Sequence, residues 1–107
     1  MNKFSFLSSA RDQFRVWLDR IDASETYDKA QGSGNAAIGF VDCMIVYLNS
    51  HINPSDNGFT ADLDQMLDTW SAEIYQHMIN KAVETGQPND TIIALCKTRE
   101  AYRLHAE

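Results

Sequence analysis

Residues 60–85, TADLDQMLDTWSAEIYQHMINKAVET, decide the fold of this chain. Large apolar residues recur along them at intervals of three and four, the spacing that places side chains on one face of an α-helix. The run contains neither Gly nor Pro, and Gly86 and Pro88 follow it as signals that end a helix. The pattern therefore predicts a helix from residue 60 to about residue 85. Its predicted buried face comprises Leu63, Met66, Leu67, Trp70, Ile74, Met78, Ile79 and Val83.

The same periodicity predicts three more helices, over about residues 6–21, 35–51 and 90–105. Asn35 and Asp90 stand where the N-caps of the last two are expected. No segment shows the alternation of apolar and polar residues that is typical of a half-buried strand. With 107 residues, the chain is long enough for one hydrophobic core without disulfide or metal support. We therefore expect a single all-α domain over residues 1–107 with a four-helix bundle-like fold.

The second helix is expected to be the central one, because large apolar residues cover most of its sides. Gly39 within it lowers helix stability and therefore predicts the close approach of a neighbouring helix. Residues 22–34, DASETYDKAQGSG, break the apolar pattern of the first helix and end in two glycines around a serine. We interpret them as a connector that ends in a flexible Gly-Ser-Gly hinge.

Cys43 and Cys96 are predicted to be buried, reduced thiols, since both fall among apolar residues and their spacing matches no metal-binding motif. No apolar run approaches the roughly 20 residues of a transmembrane helix, because Asp42 interrupts the most apolar stretch. The N-terminal stretch reaches Arg11 and Asp12 before the apolar core of a signal peptide develops. We therefore expect a cytoplasmic protein.

The formal net charge of −6 is concentrated in the middle of the chain. No Lys or Arg occurs between Lys29 and Lys81, whereas acidic residues are frequent there. Direct binding of nucleic acid needs a basic footprint that neutralises phosphates, and anionic membranes attract basic segments for the same reason. Neither is therefore expected as a partner. The acidic residues of this interval are Asp42, Asp56, Asp62, Asp64, Asp68 and Glu73.

Residues 53–65, NPSDNGFTADLDQ, have the spacing of a calcium loop around Gly58. The aligned ligand positions are mostly neutral and end in the short carboxylate of Asp64, so no calcium site is predicted. As a turn and a helix start the stretch needs no ligand, because Asp62 and Asp64 each gain roughly 0.3–1 kcal/mol from the helix dipole. Asp68 has no such cause, and its i, i+4 spacing from Asp64 is repulsive.

No pattern of residues predicts catalysis or a cofactor. The three histidines are scattered over three predicted helices, and Glu-x-x-His, the motif of metal sites in bundles, is absent. Gly-x-Ser-x-Gly is also absent, and the stretch GSGNAAIG lacks the Gly-Lys-Ser/Thr ending of a phosphate-binding loop. We therefore expect a non-enzymatic protein with no metal, no cofactor and no catalytic residue.

The favoured hypothesis is a protein-binding module whose acidic face occludes a basic, nucleic-acid-binding surface of its target, as an inhibitor or adaptor. Such a module would act as a nucleic-acid mimic. One alternative is a homo-oligomeric assembly protein with an apolar interface on the second or fourth helix. Another is an enzyme or a metal or phosphate site at the predicted hinge. The predicted partner-binding residues are Asp56, Asp62, Asp64, Asp68 and Tyr75.

Overall fold

The structure, a computed structural model, describes the backbone of residues 3–51 and 57–106 and the side chains of residues 8–47 and 64–106. Within these ranges the chain forms helices and no strand, which confirms the predicted all-α, four-helix bundle-like fold. None of these helices is long and apolar enough to cross a membrane. The helices are α1 (Lys3–Ala23), α2 (Tyr27–His51), α3 (Asn57–Glu84) and α4 (Asn89–Ala106).

The second helix begins at Tyr27, so the predicted connector is right only for residues 24–26, and the predicted hinge at residues 32–34 is wrong. Thr26 caps the helix, because its Oγ1 accepts a hydrogen bond from the Lys29 N–H at 3.3 Å. A buried stripe with a spacing of three and four then runs through the first turns without a break. The prediction fails because the early members of this stripe are small. The stripe comprises Tyr27, Ala30, Gly34, Ala37, Val41 and Met44.

The remaining helix ends differ from the predicted ones by three residues or fewer, within the fraying expected at helix ends. Gly86 confirms its predicted place just after α3, with a positive φ of 71°. The Gln87 N–H donates to the Ala82 carbonyl at 2.9 Å, and the Gly86 N–H donates to the Val83 carbonyl at 3.2 Å. These two bonds form a Schellman motif, which ends α3.

Gly34 is the glycine that permits close helix packing. A Cβ atom built on Gly34 would lie 2.5 Å from the Met78 Sδ atom of α3, closer than a real Cβ approaches another atom. Gly39 is exposed, and a Cβ atom there would meet nothing within 4 Å. The prediction of a close approach at Gly39 is therefore wrong, and the approach occurs at the glycine assigned to the hinge.

The helices run alternately up and down. Residues 24–26 join α1 to α2 and residues 85–88 join α3 to α4, short connections that are typical of antiparallel neighbours. Gly34 and Met78 lie at similar distances from the segment that joins α2 to α3, so these two helices are antiparallel as well. Consequently α2 and α4 run in the same direction.

The central helix is α3, and the prediction that the second helix is central is wrong. In the described part of the chain α3 packs against α1, α2 and α4, whereas α4 packs against α3 alone. Several residues of α2 remain exposed, among them Asp42, Cys43, Val46 and Tyr47. The prediction fails because α2 has more apolar residues than α1 and α3 can cover.

The core lies where α1 and α2 meet α3. Phe14 of α1 stacks on Trp70 of α3 with a centroid distance of 4.7 Å and an interplanar angle of 9°. The predicted buried face of α3 is right for Leu67, Trp70, Ile74, Met78 and Ile79. Met66 is half-buried, and the side chain of Leu63 lies outside the described residues. The prediction is wrong for Val83, whose side chain is exposed. Its neighbour Ala82 is buried in its place, since α4 covers that side of α3. The largest fully buried side chains are Ile21, Leu67, Ile74 and Val41.

Two polar side chains of α3 hold the C-terminal end of α1. The buried Lys81 donates from Nζ to the Asp22 carbonyl at 2.9 Å, and the Nζ atom also lies 3.1 Å from Glu84 Oε2. The His77 Nδ1 atom lies 2.7 Å from Asp22 Oδ1. A basic side chain that satisfies a carbonyl at a helix C-terminus stabilises that end, so Lys81 ties α1 to the central helix.

Candidate functional site

A groove lies between α2 and α4, which both pack on α3 without packing on each other. In the described residues no Cα atom of α2 lies within 8 Å of one in α4. The cavity there has a volume of about 490 Å³, with α3 as its floor. We call it the α2–α4 groove. Its lining residues are Tyr27, Gln31 and Asn35 of α2, Tyr75 and Met78 of α3, and Asp90, Thr91, Ala94, Leu95 and Thr98 of α4.

Two tyrosines line the α2–α4 groove, and a third stacks on one of them. Tyr75 is half-buried and stacks on Tyr102 of α4, with a centroid distance of 5.8 Å and an interplanar angle of 27°. Tyr27 is buried at the other end of the groove. The rings therefore offer flat apolar faces, a property for which tyrosine is enriched in binding surfaces.

Aspartates near the three tyrosines contribute to raising the tyrosine pKa values. Burial raises the pKa of Tyr75 above 10.0, and the negative charge of Asp42 raises it further. Burial also raises the pKa of Tyr102, with further contributions from Tyr75, Asp42 and Asp68. A carboxylate raises a tyrosine pKa because it repels the phenolate. Asp42 of α2 and Asp68 of α3 thus lie close to the same aromatic pair.

The opposite end of the groove is acidic as well. Burial raises the pKa of Tyr27, with further contributions from Tyr75 and from Asp28 of α2. Asp90 of α4 lines the groove directly. Asp28 and Asp90 are both exposed and lie in the first turns of two parallel helices. Acidic residues therefore flank the groove at both of its ends.

No basic side chain lines the described groove. On α4 the Arg99 Nη1 atom donates to Gln76 Oε1 at 2.6 Å, and neither residue lines the groove. Arg99 and Arg103 also both bind Glu100, at 3.2 and 2.9 Å. None of Asp28, Asp42, Asp68 and Asp90 forms an ion pair within the described part of the chain. The electrostatic field in the groove is therefore negative.

The predicted contact residues fall in three places. Asp68 and Tyr75 meet at the groove, since Asp68 acts on Tyr102 and Tyr102 stacks on Tyr75. Asp64 is exposed one turn before Asp68 on the same side of α3. Tyr75 is half-buried, because it stacks on Tyr102 of α4. Asp56 and the side chain of Asp62 lie outside the described residues.

Sequence reasoning missed the contribution of α2 and α4 to this site. Asp28, Asn35 and Asp42 recur every seven residues, a spacing that keeps side chains on one face of a helix. The predicted connector cut this series apart and hid it. Tyr102 lies half-buried against Tyr75 of α3. Only the three-dimensional arrangement brings it beside Asp42 and Asp68.

A second cavity, of about 410 Å³, lies between α1 and α2. We call it the α1–α2 pocket, and its surface is almost entirely apolar. Cys43 lines it and is exposed, and Cys96 of α4 is half-buried. The prediction of a buried thiol is therefore wrong for Cys43. The lining residues are Ser9, Ala10, Gln13, Phe40, Cys43, Met44 and Tyr47.

Residues 8–47 and 64–106 contain no arrangement of side chains that could coordinate a metal ion. No three His, Cys, Asp or Glu side chains of that part of the chain come together as a metal site. His77 is engaged with Asp22, and the aspartates around the α2–α4 groove are spread over three helices. What the groove offers chemically is negative charge, hydrogen-bond acceptors and aromatic surface.

Comparisons with protein-family models, with curated proteins and with solved structures find no match to this chain.

Proposed function

We propose that this protein is a non-enzymatic binding module that presents the α2–α4 groove to a protein partner with a basic surface. One observation carries the proposal. Aspartates from all three helices of the groove surround it, and no Lys or Arg lines it in the described part of the chain. A negative cleft of this kind attracts a positively charged partner and repels nucleic acid and anionic membranes.

Charge and aromatic surface have separate roles in this proposal. Exposed carboxylates such as Asp28, Asp42 and Asp90 chiefly raise the association rate, and salt weakens their effect. Tyr75 and Tyr102 supply flat apolar surface at one end of the groove, and tyrosine is enriched among the residues that dominate binding energy in protein interfaces. The predicted contact residue Tyr75 thus acts from the floor of the groove rather than from an exposed ridge.

Occlusion follows from the type of partner. A basic surface on a protein is commonly one that neutralises phosphates of DNA or RNA. A module that covers such a surface with carboxylates competes with nucleic acid for it. The protein would then act as an inhibitor or adaptor of a nucleic-acid-binding protein, without contacting nucleic acid itself.

A tagged pull-down with salt washes in steps tests this function. The Asp42→Asn/Asp68→Asn variant removes two charges at the groove, and Asp12→Asn/Asp19→Asn removes the same charge from the exposed face of α1. The wild type and the α1 variant should retain a basic protein that salt releases. The groove variant should bind the purified partner about tenfold more weakly at low salt, roughly 1.4 kcal/mol.

Two results would contradict the proposal. Equal weakening by both double variants would show that net charge acts without the groove. Unchanged binding in the groove variant would place the interface elsewhere. Once the partner is identified, a DNA or RNA competition assay separates occlusion of its basic surface from simple tethering.

A second candidate function, homo-oligomeric assembly, is supported by the α1–α2 pocket. Its apolar lining and the exposed Cys43 on α2 match the apolar character of subunit interfaces. Light scattering over a range of concentrations tests it, with Cys43→Glu at the pocket and Ala36→Glu at an exposed position outside it. Assembly predicts a larger mass for the wild type and Ala36→Glu, and a monomer for Cys43→Glu. A monomer at every concentration for all three proteins would exclude assembly.

A further inference from the structure

We infer that the occupant of the α2–α4 groove is a single basic amphipathic α-helix of the partner. This helix packs between α2 and α4, over the side of α3 that forms the floor of the groove. This inference rests on the proposed function and specifies the shape of the partner. It is carried by three features of the groove: its position between two parallel helices, the side chains of its floor and walls, and the placement of its acids.

The position of the groove suits a helix. Helices in bundles pack at interaxial distances of about 8–10 Å and fill the grooves between their neighbours. Here α2 and α4 both reach that relation with α3, but no Cα pair joins them within 8 Å in the described residues. A helix laid between α2 and α4, diagonal to α3, would have both as neighbours. An extended peptide has no sheet edge to pair with in residues 3–51 and 57–106.

The floor and walls of the groove suit the apolar face of such a helix. Tyr75 and the buried Met78 of α3 lie at the base, beside Leu95 of α4. On the α4 wall Ala94 lies between Thr91 and Thr98, all with short side chains. Short side chains on a wall allow close approach of another helix, so the groove admits large apolar residues from the partner.

The acids define where the basic residues of the occupant lie. Asp28 and Asp90 flank one end of the groove, and Asp42 and Asp68 lie near the other. Residues 28 and 42 are separated by about 21 Å along α2, at 1.5 Å per residue. A helix of about four turns spans this length. Its Lys or Arg residues would flank the apolar face and be concentrated towards both ends.

The directions of α2 and α4 also determine the direction in which the bound helix runs. Since α2 and α4 run in the same direction, a helix between them has antiparallel neighbours on both sides only if it runs parallel to α3. In that direction the dipole of the occupant opposes the dipoles of α2 and α4, which is the favourable arrangement.

Two designed peptides of 18 residues test the inference. The first places Leu and Lys at helical spacing, so that one face is apolar and its flanks are basic. The second has the same composition in an order without an apolar face. Fluorescence anisotropy should show that the first peptide binds at least tenfold tighter than the second at low salt. Because the two peptides have the same composition, they carry the same net charge, and charge alone cannot cause the difference.

Bulky substitutions locate the peptide. Asn35→Trp/Ala94→Trp fills the groove from both walls, and Ala36→Trp places the same side chain at an exposed position outside it. The filled groove should weaken binding of the helical peptide at least tenfold, and Ala36→Trp should leave it within twofold. Circular dichroism should show unchanged helicity for both proteins.

The outcomes separate this inference from the proposed function. If Asp42→Asn/Asp68→Asn weakens binding of a basic partner but the filled groove does not, the acidic surface binds without an inserted helix and the inference is overturned. Equal affinity for the two peptides overturns it as well. If neither charge removal nor groove filling affects any basic ligand, the proposed function fails together with the inference.

Discussion

Gly34 of α2 and Met78 of α3 meet so closely that no Cβ atom fits between them, since a Cβ on Gly34 would lie 2.5 Å from the thioether sulfur. This contact fixes how α2 lies on the central helix. It also fixes the wall of the α2–α4 groove, because Asn35, the next residue of α2, lines the groove together with Met78.

Substitution of Gly34 by Ala should lower the free energy of unfolding by about 1–3 kcal/mol, the usual cost of overpacking a core. Gly39→Ala is the matched control, because Gly39 is exposed and a Cβ there meets nothing within 4 Å. That change should raise stability by up to about 1 kcal/mol through helix propensity. Urea denaturation measures both, and stabilisation by both substitutions would contradict the packing described for Gly34.

The tyrosine pKa values give a test of the groove that requires no partner. Asp42→Asn should lower the pKa of both Tyr75 and Tyr102, because Asp42 raises both. Asp68→Asn should lower the pKa of Tyr102 and leave that of Tyr75 unchanged. Titration of the ring ¹³Cζ signals by NMR resolves the two residues. An identical effect of the two substitutions on both rings would be inconsistent with the arrangement.

Stability should decline at alkaline pH. The pKa values of Tyr27, Tyr75 and Tyr102 are raised in the folded protein above the ordinary value of 10.0, so above pH 10 the unfolded chain releases protons before the folded one. The unfolded state then binds fewer protons, and the free energy of unfolding falls as pH rises. Below pH 10 this contribution is fully present. Urea denaturation at pH 8 and pH 11 measures it, and Tyr75→Phe/Tyr102→Phe should reduce the difference.

Lys81 should be important for stability although it is charged. Its buried ammonium group satisfies the Asp22 carbonyl at the end of α1, so Lys81→Ala leaves that carbonyl without its donor. We expect a loss of about 1–3 kcal/mol in the free energy of unfolding. Lys97→Ala removes an exposed charge from α4 and should change stability by less than about 0.5 kcal/mol. Equal effects in thermal denaturation would argue against the role of the Lys81 hydrogen bond.

Periodicity predicted the elements of the fold better than their packing. The apolar spacing along residues 60–85 and the glycine at position 86 are local signals, and the structure confirms the helix and its end. The start of α2 was missed because Ala30 and Gly34 are small and do not register as an apolar stripe. Their burial follows from Met78 on another helix, which no local pattern reveals.

The candidate site was predicted from α3 alone. A lack of basic residues is visible in the sequence, so Asp64, Asp68 and Tyr75 could be chosen from one helix. The positions of Asp42 and Tyr102 beside the groove depend on which helices flank α3, and the choice of flanking helices depends on long-range packing. Composition therefore indicated the sign of the charge, whereas the shape of the groove required the structure.

The attachment of α4 to a single neighbour also has a consequence for its motion. An element held by one contact surface opens locally at a lower free-energy cost than a helix held on three sides, so amide hydrogens of α4 should exchange with solvent faster than those of α3. A ligand lodged against α4 would supply a second surface and slow that exchange. The exchange of the α4 amide hydrogens would thus report occupancy of the groove.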